Sequence, residues 1–436
     1  MRYKNCGYIL IVLLSLTACG SGKWFGGSDD NEKLKGTRID ALKTDNTLKV
    51  DIKAKSLPTN LGNLLTNKSW HRSQGYGVSG NLNLKLSESQ ENIDIGASKG
   101  DYHLAVTPVI GQNTIYTIDG DGVVLAHGID NIKKQLWKYK IKLSSKTKEA
   151  FLSAGMTFSD GVLYITTASV KVLALDAKLG TLLWERDLTS TASSAPDIFE
   201  NLVYVNTIDN NLYALNKNDG SIIWTQAGVF SDVTTLGTAA PLAKQGIVVA
   251  PYSSGEMFVL DAFTGHELWS DNLTTYNRTY FSLTDLDASP VMYKNMLIEA
   301  SQEGMLVAFD LSTGARIWQQ EMSTSVTPWV AGDFLYVLTK QSQLVGIYLP
   351  TGSIKFVKQL DSYKDSDKTK PIFWNGPVVA NNLVWVVNSE GQLKALSPDN
   401  GEQIQEIAVP KNIYLPPVIA EGKIFLLSDK GKLIRL

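Results

Sequence analysis

The 436-residue chain is 44% hydrophobic and 19% charged, enough apolar material for a sizeable core and too much for wholesale disorder. Its formal net charge of −2 argues against nucleic acid as the main partner. Its 2 cysteines, Cys6 and Cys19, both in the first twenty residues, exclude a disulfide framework, a paired-cysteine redox motif and a haem-attachment motif.

Arg2 and Lys4 make a short basic start, and Ile9 to Leu16 form a short apolar core. A helix rising about 1.5 Å per residue over that stretch falls far short of ~30 Å of hydrocarbon, so residues 1–18 are expected to be a signal peptide. Leu16-Thr17-Ala18-Cys19 follows the lipobox pattern of bacterial lipoproteins: apolar, small, small, cysteine. Cys19 is the expected lipid attachment site, and two or three acyl chains there suffice for stable membrane anchoring. Gly20 after it, rather than aspartate, points to transfer to the outer membrane. Residues 19–66 read as a lipidated tether, rich in Gly, Ser and Asp from Gly20 to Asn31.

From residue 67 to 436 the chain reads as repeats. A turn glycine stands four residues before a large apolar residue in Gly180/Trp184, Gly220/Trp224, Gly265/Trp269 and Gly314/Trp318, more weakly in Gly352/Phe356 and Gly401/Gln405. Asp or Asn near glycine makes a tight hairpin turn, and the strand after it carries the aromatic between sheets. A strand beginning at Gly122, Ser169, Asn210, Gly255, Gly304, Ser342, Gly391 or Gly431 precedes each turn, with a small residue such as Ala174, Ala214 or Ala308 near its end. A proline opens most units, as in Thr107-Pro108, Ala240-Pro241 and Ser289-Pro290, where a first strand needs no ladder donor. Spacings of 47, 40, 45, 49 and 38 between aromatic positions from Trp137 to Phe356 are those of propeller blades. The expected fold is all-β: an eight-bladed β-propeller with four antiparallel strands per blade. The last unit ends on its third strand at Leu436, while Trp70 stands on a strand with no unit before it. An N-terminal strand, assigned to Trp70, is therefore expected to complete the last blade and remove its open edge. Residues 75–103 read as a surface hairpin before the first unit, and the mixed charges of 361–368 as a solvated loop.

Catalytic and ligand motifs are sparse. Gly75-Tyr76-Gly77-Val78-Ser79-Gly80 matches a dinucleotide fingerprint but lacks the preceding buried strand and the following helix. Asp119-Gly120-Asp121-Gly122 lacks the later ligands of a calcium loop and reads as a hairpin turn. His71, His103, His127 and His266 are scattered through different units without metal-ligand spacing. No metal site, cofactor or catalytic residue is expected. Two other readings stay open: a pyrroloquinoline-quinone (PQQ)-dependent dehydrogenase-like enzyme, weakened by the missing vicinal cysteine pair and the short blade connections, and a periplasmic glycan-binding propeller.

Lipobox, tether and PQQ-type blades together resemble the BamB family, lipoproteins of the outer-membrane β-barrel assembly (BAM) machinery. Gly36-Thr37-Arg38-Ile39 and Trp70-His71-Arg72 are similar to its alphaproteobacterial type. The resemblance implies a non-catalytic scaffold, lipid-anchored in the outer membrane and facing the periplasm. Its implied partners are the periplasmic domains of a BamA-like barrel-inserting protein and unfolded barrel precursors. An acidic pair before a blade-opening proline takes part in the family's contact, and Asp285 and Asp287 match it. The preceding interblade loop supplies two leucines and an arginine in the enterobacterial form; the matching positions here are Val233, Thr235 and Leu236, with no arginine. Tyr276, Arg278, Tyr280 and Phe281, in the long connection ahead of Asp287, are residue types enriched at interfaces.

Overall fold

The alternation of buried and exposed residues in strands of five or six, separated by glycine turns, folds as a series of small antiparallel sheets. A computed structural model describes residues 48–436 apart from 74–78, 88–89, 98–102, 105, 143–154, 168, 193, 230–238, 275–285 and 303. Cys19 and the signal peptide lie outside the described residues. Among these residues there are eight sheets in chain order: 109–140, 155–187, 197–227, 242–272, 291–321, 329–359, 374–408 and 418–435. The first seven each run through four consecutive strands. First and second strands are mostly buried, whereas fourth strands such as Gln135–Lys140 and Gln403–Ala408 alternate or are mostly exposed.

The glycine–tryptophan spacing has a physical cause. Trp184, on the fourth strand of the second sheet, donates its indole N–H to Lys217 O of the third sheet at 3.0 Å, and Tyr164 donates to the same carbonyl at 3.4 Å. Trp137 and Tyr116 share Ala177 O in the same way, and Trp224 and Tyr204 share Ala262 O. The turn after each accepting carbonyl brings in the next sheet's glycine. A Cβ on Gly220, whose φ is +68°, would stand 2.6 Å from the Trp184 ring. Each glycine is thus spaced from its own sheet's tryptophan but packs under the previous sheet's. The small residue on the third strand has a second role: Ala174 and Ala214 lie directly opposite Trp184 and Trp224, at a register shift in each ladder.

Apolar clusters link each sheet to the next, from Leu163 of the second on Tyr116 of the first to Val330 of the sixth on Ile298 of the fifth. The largest cluster joins the sixth, seventh and eighth sheets to Ile110, Ile115 and Leu125 of the first. Arg435 of the eighth sheet also donates to Ile129 O and Asp130 O of the first, at 2.9 and 2.7 Å.

Two expectations need correction. The strand that completes the eighth sheet is Glu91–Asp94, antiparallel to Lys432–Arg435, and not the strand of Trp70. Its alternating exposure suits an outer edge, and ion pairs Asp94–Lys432 (2.8 Å) and Glu91–Arg435 (2.7 Å) fix the register. Trp70 is 2% exposed, forms an isolated bridge with Ile110 on the first strand of the first sheet, and stacks on Trp329 at 6.1 Å. An indole of that size gains more in the interior than on a solvated edge. Nor is 75–103 a surface hairpin: Asn81–Leu82 pairs in parallel with the first strand of the seventh sheet and with Leu64–Leu65. Ahead of these, the helix Ile52–Ser56, capped by Asp51, lies against the sixth sheet, where Asp51 N–H donates to Ile354 O at 2.8 Å.

Candidate functional site: the axial segment and the loops before the fourth and fifth sheets

The first strand of every sheet but the seventh has one sheet neighbour, so its other edge presents backbone groups unpaired within the sheet toward the space between the sheets. The chain itself takes up that space. Trp70 exchanges two backbone bonds with Ile110, at 2.8 and 2.9 Å. Ser73 N–H donates to Met156 O at 2.9 Å, and Phe158 N–H to His71 O at 2.7 Å. Gly80 N–H donates to Val330 O at 2.7 Å, and the Trp329 indole returns a bond to Gly80 O at 2.8 Å.

Arg72, 2% exposed, reaches Asp197 on the first strand of the third sheet at 2.7 Å and Pro241 O ahead of the fourth at 2.8 Å. Asp197 also accepts from Ala243 N–H at 2.7 Å and Ile198 N–H at 3.0 Å. Burial pushes its carboxyl above the ordinary carboxylate range, and Arg72 and the two amides oppose that shift. A cavity of about 160 Å³ remains beside the pair, lined also by Ser79, Leu242, Met292 and Trp329.

This arrangement does not fit a quinone and its calcium. Trp70 and Arg72 stand in the space between the first strands, and among the described residues no three His, Cys, Asp or Glu side chains converge as metal ligands. The histidines are separately placed: His71 stacks on Phe158, His103 on Tyr414 beside Asp429, His127 is buried in the first sheet, and His266 is exposed in a turn.

Of the residues expected at a partner surface, only Asp287 is described, half-buried; Val233, Thr235, Leu236 and Asp285 lie outside the described residues. The stems of the two loops do meet. Ala239 N–H donates to Leu286 O at 2.9 Å, and Ala240 N–H to Ser289 Oγ at 3.0 Å. Leu286 and Ala288 are fully buried on either side of Asp287, which fixes where the second loop leaves the sheets. Connections from a fourth strand to the next first strand share one end of the sheets with the turns between second and third strands. At that same end an open groove of about 410 Å³ lies between the sixth and seventh sheets, lined by Val326, Leu338, Lys340, Phe373, Trp374 and Tyr414. Sequence reasoning missed the groove, because its residues come from four separate connections.

Four-stranded sheets locked by shared Trp–Tyr carbonyls define a β-propeller of PQQ-like repeats. Residues 127–358 match the family described as outer membrane protein assembly factor BamB, and the chain belongs to that family. The outer membrane protein assembly factor BamB of Yersinia pestis is 25% identical over 344 residues, 77% of this chain and 85% of that protein. The crystal structure of BamB from Moraxella catarrhalis superposes with a TM-score of 0.64 at 20% identity, covering 79% of this chain and 99% of that one. The quinohemoprotein alcohol dehydrogenase of Comamonas testosteroni shares the fold, with a TM-score of 0.57 at 13% identity over 77% of this chain and 71% of its own.

Proposed function

We propose that the chain is a non-catalytic scaffold of outer-membrane protein assembly. Its eight sheets act as the blades of a closed eight-bladed propeller over residues 67–436, held by a 19–66 tether to lipid on Cys19 in the outer membrane, on the periplasmic side. The scaffold binds the periplasmic domains of a BamA-like barrel-inserting protein and assists insertion of unfolded barrel precursors. Family membership over more than half the chain carries this reading. The joined stems of the 230–238 and 275–285 loops support a single contact patch made by Val233, Thr235, Leu236, Asp285 and Asp287. Exposed aliphatic side chains on outermost strands, Leu183, Ile223, Leu268 and Ile317, are 45–55% exposed beside unpaired strand edges and suit extended precursor segments.

The test is a crosslinking pull-down from the native envelope. The barrel-inserting protein should co-purify with the wild type and be lost, by tenfold or more, from the Asp285→Arg/Asp287→Arg variant with an unchanged melting temperature. Undiminished recovery would remove these two aspartates from the contact; absence of the partner from the wild-type sample would remove the scaffold reading. Mass spectrometry of the mature N-terminus tests the lipid: Cys19 should carry acyl chains.

A further inference from the structure

We propose that the space between the first strands is a peptide-binding site, and that its ligand is this chain's own axial segment, Asn67–Ser73 together with Ser79–Lys85. The inference rests on the ring reading and is independent of the assembly role. Bonds from the two limbs reach six of the eight sheets and the residue just ahead of the fourth. Trp70 pairs with the first sheet, Ser73 and His71 with the second, Arg72 with the third and with Pro241 before the fourth, and Gly80 with the sixth. Leu82 O accepts from Asn381 N–H of the seventh at 2.9 Å, and Lys85 N–H donates to Gly422 O of the eighth at 2.7 Å. Glu421 N–H donates to Asn67 O at 2.9 Å.

These are the contacts of a bound extended peptide rather than of a covering loop. Backbone pairs with the exposed edges of first strands, as a strand added to a sheet edge does, and side chains enter defined places. The Trp70 ring lies on Trp329, the Asn81 amide makes two bonds with Asn382 at 2.7 and 3.0 Å, and the Arg72 guanidinium is charge-paired with Asp197. Arg72 is the specificity element: removing it leaves the Asp197 carboxylate buried without its counter-charge. Because each limb bonds to several sheets at once, the ligand clamps the first strands to one another. Asn67 and the Asn81–Lys85 limb lie against turns between first and second strands, at Glu421–Gly422 and Asn381–Asn382, whereas Arg72 reaches Pro241, beside the stem of the 230–238 loop.

The experiment inserts a specific protease site between Ser87 and Gln90 of the full mature chain, after the axial segment and before the closing strand Glu91–Asp94. After cleavage the N-terminal fragment should co-elute with the sheets on native size-exclusion chromatography. A fluorescent synthetic peptide of residues 62–87 should exchange into the cut protein and not into the uncut one. The same peptide with Arg72→Ala should bind at least tenfold more weakly. A fragment that elutes free, or equal binding by the two peptides, would overturn the proposal. Hydrogen exchange on the uncut wild type needs no variant: the amides of Trp70, Ser73, Gly80 and Lys85 should be protected as strongly as the first strands. Exchange at unstructured-chain rates there would also overturn it. Loss of protection at Glu91–Asp94 and Lys432–Arg435 would instead report failure of ring closure.

Discussion

Gly220 and Trp184 show how one residue pair joins two sheets. A side chain on Gly220 meets both an unfavourable φ and the indole 2.6 Å away, so Gly220→Ala should destabilise the fold by about 2 kcal/mol. Trp184→Phe should cost about 1 kcal/mol, since it loses one indole bond while Lys217 O keeps the Tyr164 hydroxyl. Urea midpoints compare the two directly. Glu299 is a different case. It sits on the second strand of the fifth sheet, 1% exposed, with Oε1 accepting from Ala300 N–H and no bond to Oε2 among the described residues. Burial raises its pKa well above the ordinary glutamate value. The unfolded chain ionises in the ordinary range, so above that range folding must take up a proton. Stability is full at pH below it and falls as pH rises toward the folded value. Melting temperature should therefore decline from pH 5 to pH 8 in the wild type, and Glu299→Gln should flatten that decline. Parallel profiles would show that Glu299 does not titrate in this way.

The strand closing the eighth sheet carries the lesson at the scale of elements. The repeat pattern leads to the expectation that an N-terminal strand joins the last unit, and one does. It does not make plain which one, because two-residue alternation describes a strand's faces and says nothing about the edge it joins. Trp70, flanked by polar residues, reads as an outer strand, yet it lies in the interior; Glu91–Asp94 has no aromatic marker and takes the edge. Arg72 was illegible for a related reason: a charged residue reads as exposed, and its counter-ion Asp197 is on another sheet. The glycine–tryptophan repeat was legible because turn chemistry and spacing are local, although the sheet on which each glycine packs was not. The 230–238 and 275–285 loops are singled out by residue type and resemblance alone, and their residues lie outside the described ones apart from Asp287 at the stem. Closure makes a direct prediction. Asp94→Cys with Lys432→Cys places two thiols directly opposite in the ladder, and they should crosslink under mild oxidation without loss of fold. A Trp70→Cys/Lys432→Cys pair should remain reduced.

At the scale of the whole molecule, the sheets follow one another along the chain while the axial segment precedes them all. Gly80 bonds to the Trp329 side chain, 249 positions further on, and Lys85 waits for Gly422. Closing so long a loop is slow relative to forming hairpins within a sheet. In pulse-labelled refolding, the amides of the second to fifth sheets should become protected before those of Trp70, Gly80 and Lys85. Simultaneous protection would mean that the segment templates the sheets instead. The earliest residues of the propeller to be synthesised are thus the last to find their partners. Until the eighth sheet exists, Trp70, Leu82 and Leu84 stay without the apolar neighbours that bury them in the folded chain. For that interval the propeller is itself an unfinished β-protein, exposed to the aggregation that open strand edges and apolar side chains invite.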